Sequence, residues 1–299
     1  MIPQYPSWTP LAIDTKRSFD QHTTMYEPFA EFSFPCAFSW DTKNTASVSM
    51  LNNNLLLKMP DYITNEPFYS IIGTNDIDES LELLLDEVDE LKLVPEVVIE
   101  KIKSPERFKI EEDRDQFDYV YLCEELAHLV GPKLKGRRNK SSLFLKTYYD
   151  SIDVKKLNLS SERDAIHVMD VFNMWSKTRH TDESSSEHER ETIEKIIRFA
   201  EHFNFVTIGL FLHGRCIGFS INEIVQGGYA ICRFQKTTFD VDHTDVFLTN
   251  LVAKELKHFE CIYISWEQDL GIIGLRSFKE SYGPVKFLKK YTVSLAEQN

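Results

Sequence analysis

The sequence predicts an α+β protein of two tandem modules, each a mixed, mostly antiparallel sheet with flanking helices. Three observations carry this reading. The second half alternates segments of helical periodicity with β-rich runs at hairpin spacing. The first half has hairpin, strand and helix material of its own. The length, 299 residues, suits about two domains, placed at 1–150 and 151–299, the first degenerate relative to the second.

In the first half, ASVSML and LLLKMP flank Asn52–Asn54 and read as a strand–turn–strand hairpin, since asparagine tolerates positive φ. FYSIIG (68–73) reads as a third strand, with RFKI (107–110) and DYVYL (118–122) as later ones. Between them DIDESLELLLDEVDEL (76–91) holds eight carboxylates and no base. Leu81, Leu84, Leu85, Val88 and Leu91 recur at helical spacing, so this is an amphipathic helix with a solvated acidic face.

In the second half, Ser160 and Ser161 with Asp164 start a helix whose core positions are Ala165, Met169, Phe172 and Trp175. HTDESSSEHE (180–189) reads as a polar loop and ETIEKIIRFAEHF (191–203) as a second helix. Then FVTIGLFL, CIGFSINEIV and YAICRFQKTTF form a meander through turns at Gly214 and Gly227–Gly228. A helix over 245–259, a strand over 261–266, a short helix over 274–282 and a final strand over 285–295 complete the chain. This is the element order of the GNAT acyltransferase fold, lacking only its first strand, which is expected near 152–158.

Composition excludes several classes. The 34 Lys+Arg against 47 Asp+Glu give a net charge of −13, which opposes indiscriminate binding to nucleic acid or anionic lipid but leaves room for a local basic site. The longest apolar runs fall far short of the roughly 18 residues of a membrane span. The N-terminus MIPQYPSWTP lacks the apolar core of a signal peptide, so a cytoplasmic location is expected. The five cysteines never form a C-x-x-C pair and read as reduced, buried thiols.

Two segments carry candidate chemistry. KLKGRRNKSSLFLK (133–146) has six cations and no acid. Adjacent Arg137 and Arg138 opening a helix would present forked donors beside free backbone N–H groups, a place for phosphate; a solvated inter-domain connection is the plainer reading. In WEQDLGIIGLRSFKESYGP (266–284), Glu267 and Asp269 follow a strand end, and Arg276 and Lys279 lie three apart on one helical face. Spacing alone leaves an ion-paired helix start as the simpler alternative.

These stretches resemble a known family. YVYLCEELAHLVGPKLKGRRNKSSLFLK and YISWEQDLGIIGLRSFKESYGPVKFLKKY are similar to the two hallmark segments of the phosphatidylglycerol lysyltransferase C-terminal domain-like family (DUF2156), and SFPCAFSW (33–40) matches its early run. Arg137, Arg138, Asn139, Glu267, Gln268, Asp269, Gly271, Arg276, Lys279 and Pro284 match the motifs; Ser265, Lys135 and Gly136 depart from them. The resemblance spans nearly the whole chain. It implies two tandem GNAT-like domains, akin to Fem-type enzymes that pass an aminoacyl group from charged tRNA to an amine or hydroxyl. The full lysyltransferases carry membrane helices that this sequence does not show, so a lipid acceptor is not expected.

The donor can be narrowed further. GNAT enzymes that use acetyl-CoA cradle its pyrophosphate in a glycine-rich turn after the meander, where backbone must approach phosphate closely. Here residues 238–245 hold no glycine and three aspartates, Asp240, Asp242 and Asp245, which disfavours acetyl-CoA; no other cofactor is expected. The leading expectation is therefore aminoacyl transfer from an activated donor, with aminoacyl-tRNA as candidate, to a small-molecule or peptide amine. Arg276 and Lys279 would stabilise phosphate or an oxyanion, and Glu267 or Asp269 would position or accept a proton. Arg137, Arg138, Asn139 and Lys236 would bind substrate. A catalytically silent ligand-binding module and an acyl-CoA N-acyltransferase are the alternatives. Asp182, Glu183, Glu187, His188 and Glu189 are a weak metal candidate, so no metal is expected, and His167 and His202 read as packing or surface residues.

Overall fold

The computed structural model describes residues 1–61, 66–178 and 183–297. The chain opens with β1 (Thr9–Pro10), α1 (Lys16–Thr23) and α2 (Phe34–Trp40), followed by β2 (Ser47–Leu51), β3 (Asn54–Pro60) and β4 (Pro67–Ile72). Next come α3 (Ile77–Leu85), β5 (Leu91–Pro95), α4 (Glu96–Ile99) and β6 (Phe108–Glu112). The chain continues through β7 (Asp118–Leu122), α5 (Cys123–His128), α6 (Lys135–Tyr148), β8 (Ile152–Leu157), α7 (Glu162–Thr178) and α8 (Glu183–Arg198). The meander is β9 (Phe205–Leu212), β10 (Arg215–Val225) and β11 (Tyr229–Thr237). It leads to α9 (Thr244–Lys257), β12 (Tyr263–Ser265), α10 (Ile273–Glu280), β13 (Lys286–Leu288) and β14 (Lys290–Leu295).

Two compact units result. One comprises Met1–Asp118, Gln268–Ile272 and Phe287–Asn299; the other comprises Tyr119–Glu267 and Ile273–Lys286. The first holds a four-stranded sheet in the order β1-β2-β3-β4 and a three-stranded sheet β5-β14-β6. Its β2–β3 hairpin turns on Asn52 and Asn53, at φ 48° and 62°, as the asparagine run predicts. Leu81, Leu84 and Leu85 of α3 join Leu56, Ile71, Leu91, Val94 and Val293 in one core.

In the second unit β7 (from Tyr119), β12, β11, β10, β9 and β8 lie side by side in that order. The order β8–α7–α8–β9–β10–β11–α9–β12–α10 matches the expected fold, and β8 supplies the first strand sought near 152–158. It pairs antiparallel with β9, from Ile152↔Leu212 to Leu157↔Thr207.

Three elements depart from expectation. α3 ends at Leu85 rather than 91 because Asp86, Glu87, Asp89 and Glu90 would crowd carboxylates at the negative end of the helix dipole. Leu91 instead begins β5, which pairs with β14. The loop assigned to 180–189 is helical from Glu183, where α8 begins; residues 180–182 lie outside the described residues. Glu189 and Arg190 anchor this turn by bonding to Lys236 and Asn173, a tertiary gain that overrides three serines. The final strand is two strands in different sheets, divided at Lys289. Alternation of side chains cannot reveal such a break, because both pieces share the same period.

The buried and exposed faces of α3 make a direct test. Leu81→Ala should cost about 2–5 kcal/mol in denaturant unfolding. The exposed Leu83→Ala should stay within about 0.5 kcal/mol.

Candidate active site

In the second unit, β10 and β11 pair from Gly218↔Thr237 to Val225↔Tyr229, with a register shift between Ile221 and Asn222. Ile221 faces Phe234 and Asn222 faces Cys232, so Arg233 is the extra residue of a β-bulge. On its other edge β11 pairs in parallel with β12 only over Tyr229–Ile231 and Tyr263–Ser265. Beyond Ile231 the β11 edge has no β12 strand beside it. The strands part at the carboxyl end of β12, the end of a parallel pair where sheet proteins commonly place ligands.

The bulge puts Arg233 between two carboxylates. Its Nε and Nη2 donate to Glu223 Oε2 at 3.0 and 2.5 Å, and its Nη1 donates to Glu267 Oε1. The arginine side chain is only 2% exposed, against 16% for Glu267. Sequence reasoning missed Arg233 and Glu223: the pair is diagonal across two strands, and only the bulged register brings them together.

Glu267 sits at φ 55°, just past the end of β12. Lys279, buried on α10, donates to the carbonyls of Trp266 at 2.6 Å and Glu267 at 3.2 Å. The lysine thus holds the turn that carries Glu267. Trp266 packs among Tyr121, Phe278 and Tyr282, with ring centroids at 4.2, 6.1 and 4.8 Å. Arg276 lies half-buried on the same helix.

Arg137 closes this cluster from α6. Its guanidinium stacks 3.8 Å from the Tyr282 ring centroid and donates to the Ser281 carbonyl at 3.1 Å and hydroxyl at 2.6 Å. Burial raises the Tyr282 phenol above its ordinary pKa, and the Arg137 charge partly offsets this. Arg138 donates to the Leu129 carbonyl at 2.6 Å. Both arginines brace the local structure, while Asn139 and Lys133, Lys135, Lys140 and Lys146 around them are exposed.

The remaining predicted residues fall into separate places. Lys236 lies 3.6 Å from the Trp175 ring centroid and 2.6 Å from Glu189 Oε1. Asp269 belongs to the first unit, where it is fully buried. Its Oδ2 accepts from Arg114 at 3.2 Å and its Oδ1 from the Gly271 N–H at 2.9 Å. It pins the turn at Gly271, whose φ of 71° and close approach to Asp115 leave no room for a Cβ.

The turn before α9 forms where the donor argument placed it, and Asp240 pairs there with Arg215 at 2.5 Å. Among the described residues no cluster could hold a metal ion. Of the acidic candidates, Glu187 pairs with Arg190 and Glu189 with Lys236; Asp182 and the Glu183 side chain lie outside the described residues. His167 packs edge-on against Phe211, and His202 faces Glu201. The five cysteines are free thiols, and burial pushes Cys123 up to about 12 and Cys232 up to about 11. No described helix is long and apolar enough to cross a membrane.

The family model for the C-terminal region of phosphatidylglycerol lysyltransferase matches residues 23–294. The chain belongs to that family. A conserved protein of unknown function from Bacteroides thetaiotaomicron superposes with a TM-score of 0.84 at 22% identity, covering 99% of this chain and 100% of that one. The C-terminal domain (DUF2156) of a candidate lysylphosphatidylglycerol synthetase from Agrobacterium fabrum gives 0.64 at 11% identity, over 94% and 90% of the two chains. L-PGS from Bacillus licheniformis gives 0.63 at 10%, over 100% and 95%. FemX gives 0.59 at 11%, over 97% of each chain. No curated protein sequence matches. The fold is α+β with two tandem GNAT-like domains, as the element order predicts, and it is an acyltransferase-like fold of the lysyl and aminoacyl transferase kind.

The buried charge cluster makes a sharp stability prediction. Arg233→Met leaves Glu223 without its cation and should cost about 3–5 kcal/mol in denaturant unfolding. Adding Glu223→Leu should recover most of that loss.

Proposed function

We propose that this protein is an acyltransferase that moves an aminoacyl group from an activated ester, with aminoacyl-tRNA as donor, onto an amine or hydroxyl acceptor. The carrying observation is the parting of β11 and β12 after Ile231 and Ser265, with Glu267 two residues past the end of β12 and its carboxylate bonded to Arg233 of β11. An aminoacyl ester is already activated. The protein therefore needs only to orient it, polarise its carbonyl and take the nucleophile's proton.

In this reading Arg276 stabilises donor phosphate or the developing oxyanion. Glu267 positions the incoming amine and accepts its proton. Lys279 works indirectly by holding the Glu267 turn. The exposed cations around the start of α6 attract donor phosphates within the short screening distance, about 8 Å at physiological salt, over which the net charge of −13 matters little. The aspartates and missing glycine of the 238–245 turn argue against acyl-CoA in the usual cradle.

A second reading, a ligand-binding module without catalysis, has one observation in its favour: Lys279 and Glu267 are both engaged within the chain. Charged tRNA with candidate amines separates the two. The enzyme reading expects free tRNA to appear faster than without protein, with rates that depend on the amino acid. Rates equal to the control, or equal across amino acids, favour the module. Arg276→Ala should slow the transfer about 10²–10³-fold if it meets the oxyanion.

Binding tests the basic helix separately. Replacing Lys133, Lys135 and Lys140 by Ala should reduce the log–log salt slope of tRNA binding by up to about three and leave the thermal midpoint unchanged. Arg137→Ala should instead lower the midpoint, because it releases Ser281 and Tyr282 from α6. A salt-independent interaction would remove tRNA as donor and leave a small activated ester.

A further inference from the structure

The first unit buries a second ionic cluster that the proposed chemistry does not use. Glu31, Asp118 and Lys290 are each 0% exposed. Lys290 Nζ lies 2.6 Å from Glu31 Oε2 and 2.9 Å from Asp118 Oδ1. The three side chains come from a short turn after α1, the first residue of β7 and the first residue of β14, and so tie together distant parts of the chain. Fully ionised, one ammonium and two carboxylates would leave a net negative charge with no solvent contact. Such a charge is far costlier than one bound proton.

We infer that Glu31 holds a proton in the native protein, which makes the cluster neutral and turns it into a pH-sensitive latch in the first unit. The bonding pattern says which carboxyl takes the proton. Asp118 uses both oxygens, Oδ1 toward Lys290 and Oδ2 as acceptor for the Ala30 N–H at 3.0 Å. Among the described residues neither Glu31 oxygen has a hydrogen-bond partner, Oε2 meeting Lys290 only as an ion pair and Oε1 meeting no cation. The ammonium is retained, since its two carboxylate neighbours outweigh desolvation and hold Lys290 above its usual pKa. Burial, with Asp118 adding to it, pushes Glu31 up to about 7 against the attraction of Lys290. Asp113 also acts on Lys290, and its backbone N–H donates to the Lys290 carbonyl at 3.0 Å.

The sign follows from linkage. Between the ordinary glutamate value and about 7, the folded chain binds a proton that the unfolded chain has released, so stability falls as pH rises through that window and levels off above it. Denaturant unfolding of the intact protein and of Glu31→Gln, followed from pH 4.5 to 8.5, tests this. The pH slopes of the two proteins should differ by close to one proton between about pH 5 and 6.5, with the variant the more stable above pH 7. Parallel profiles would overturn the inference. Infrared spectra of the unaltered protein with ¹³C-labelled glutamate give an independent reading. One buried protonated carboxyl band should be present at pH 6 and lost by pH 9; its absence at pH 6 would also overturn the inference.

Discussion

Arg233 is held at the centre of the second unit by Glu223 and Glu267, and much of the local geometry depends on that contact. A guanidinium so completely removed from water is tolerable only when carboxylates surround it. Glu223 must therefore sit one strand away and Glu267 just beyond the end of β12. The bulge in β11 makes this possible by adding one residue and turning the arginine toward its partners. The same bulge bends β11, which parts from β12 after only three paired residues. The parting of the strands and the salt bridge lie beside the same irregularity.

The turn after β12 is over-determined. Glu267 adopts a left-handed backbone conformation that glutamate rarely favours. Lys279 offsets the strain by binding two successive carbonyls, the aromatic cluster around Trp266 fixes the depth of the turn, and Arg137 ties the end of α10 to α6. Some charges that in a sequence look like ligands for substrate hold turns in shape instead: Lys279 the turn that carries Glu267, and Asp269, within the first unit, the turn at Gly271.

Charge is distributed unevenly. The net charge of −13 comes largely from exposed carboxylates such as those of α3 and the turn after it, while exposed cations are concentrated around the start of α6. Lys290 and Arg233 show the same solution to burial, a cation flanked by two carboxylates. They differ in exposure: the Glu267 carboxylate keeps some contact with water and Glu31 keeps none. A fully enclosed cluster with an excess carboxylate has reason to hold an extra proton.

The sequence by itself determined the local elements and their order. β-rich runs at hairpin spacing marked the meander, the asparagine run marked the hairpin turn, and helical spacing marked α3 and α7, because these patterns depend on neighbours a few residues apart. The 238–245 turn and the motif around residues 266–284 were legible for the same reason. Tertiary structure alone decided which charges meet. Arg233 finds Glu223 through a strand register, and Lys290 finds Glu31 across most of the chain. The division of 285–295 into two strands depends on partners at Val120 and along β5 and β6. An isolated lysine or glutamate looks the same in a sequence whether it ends in water or in a core. Its fate is set by the desolvation it must suffer and by the partner that long-range packing brings to it.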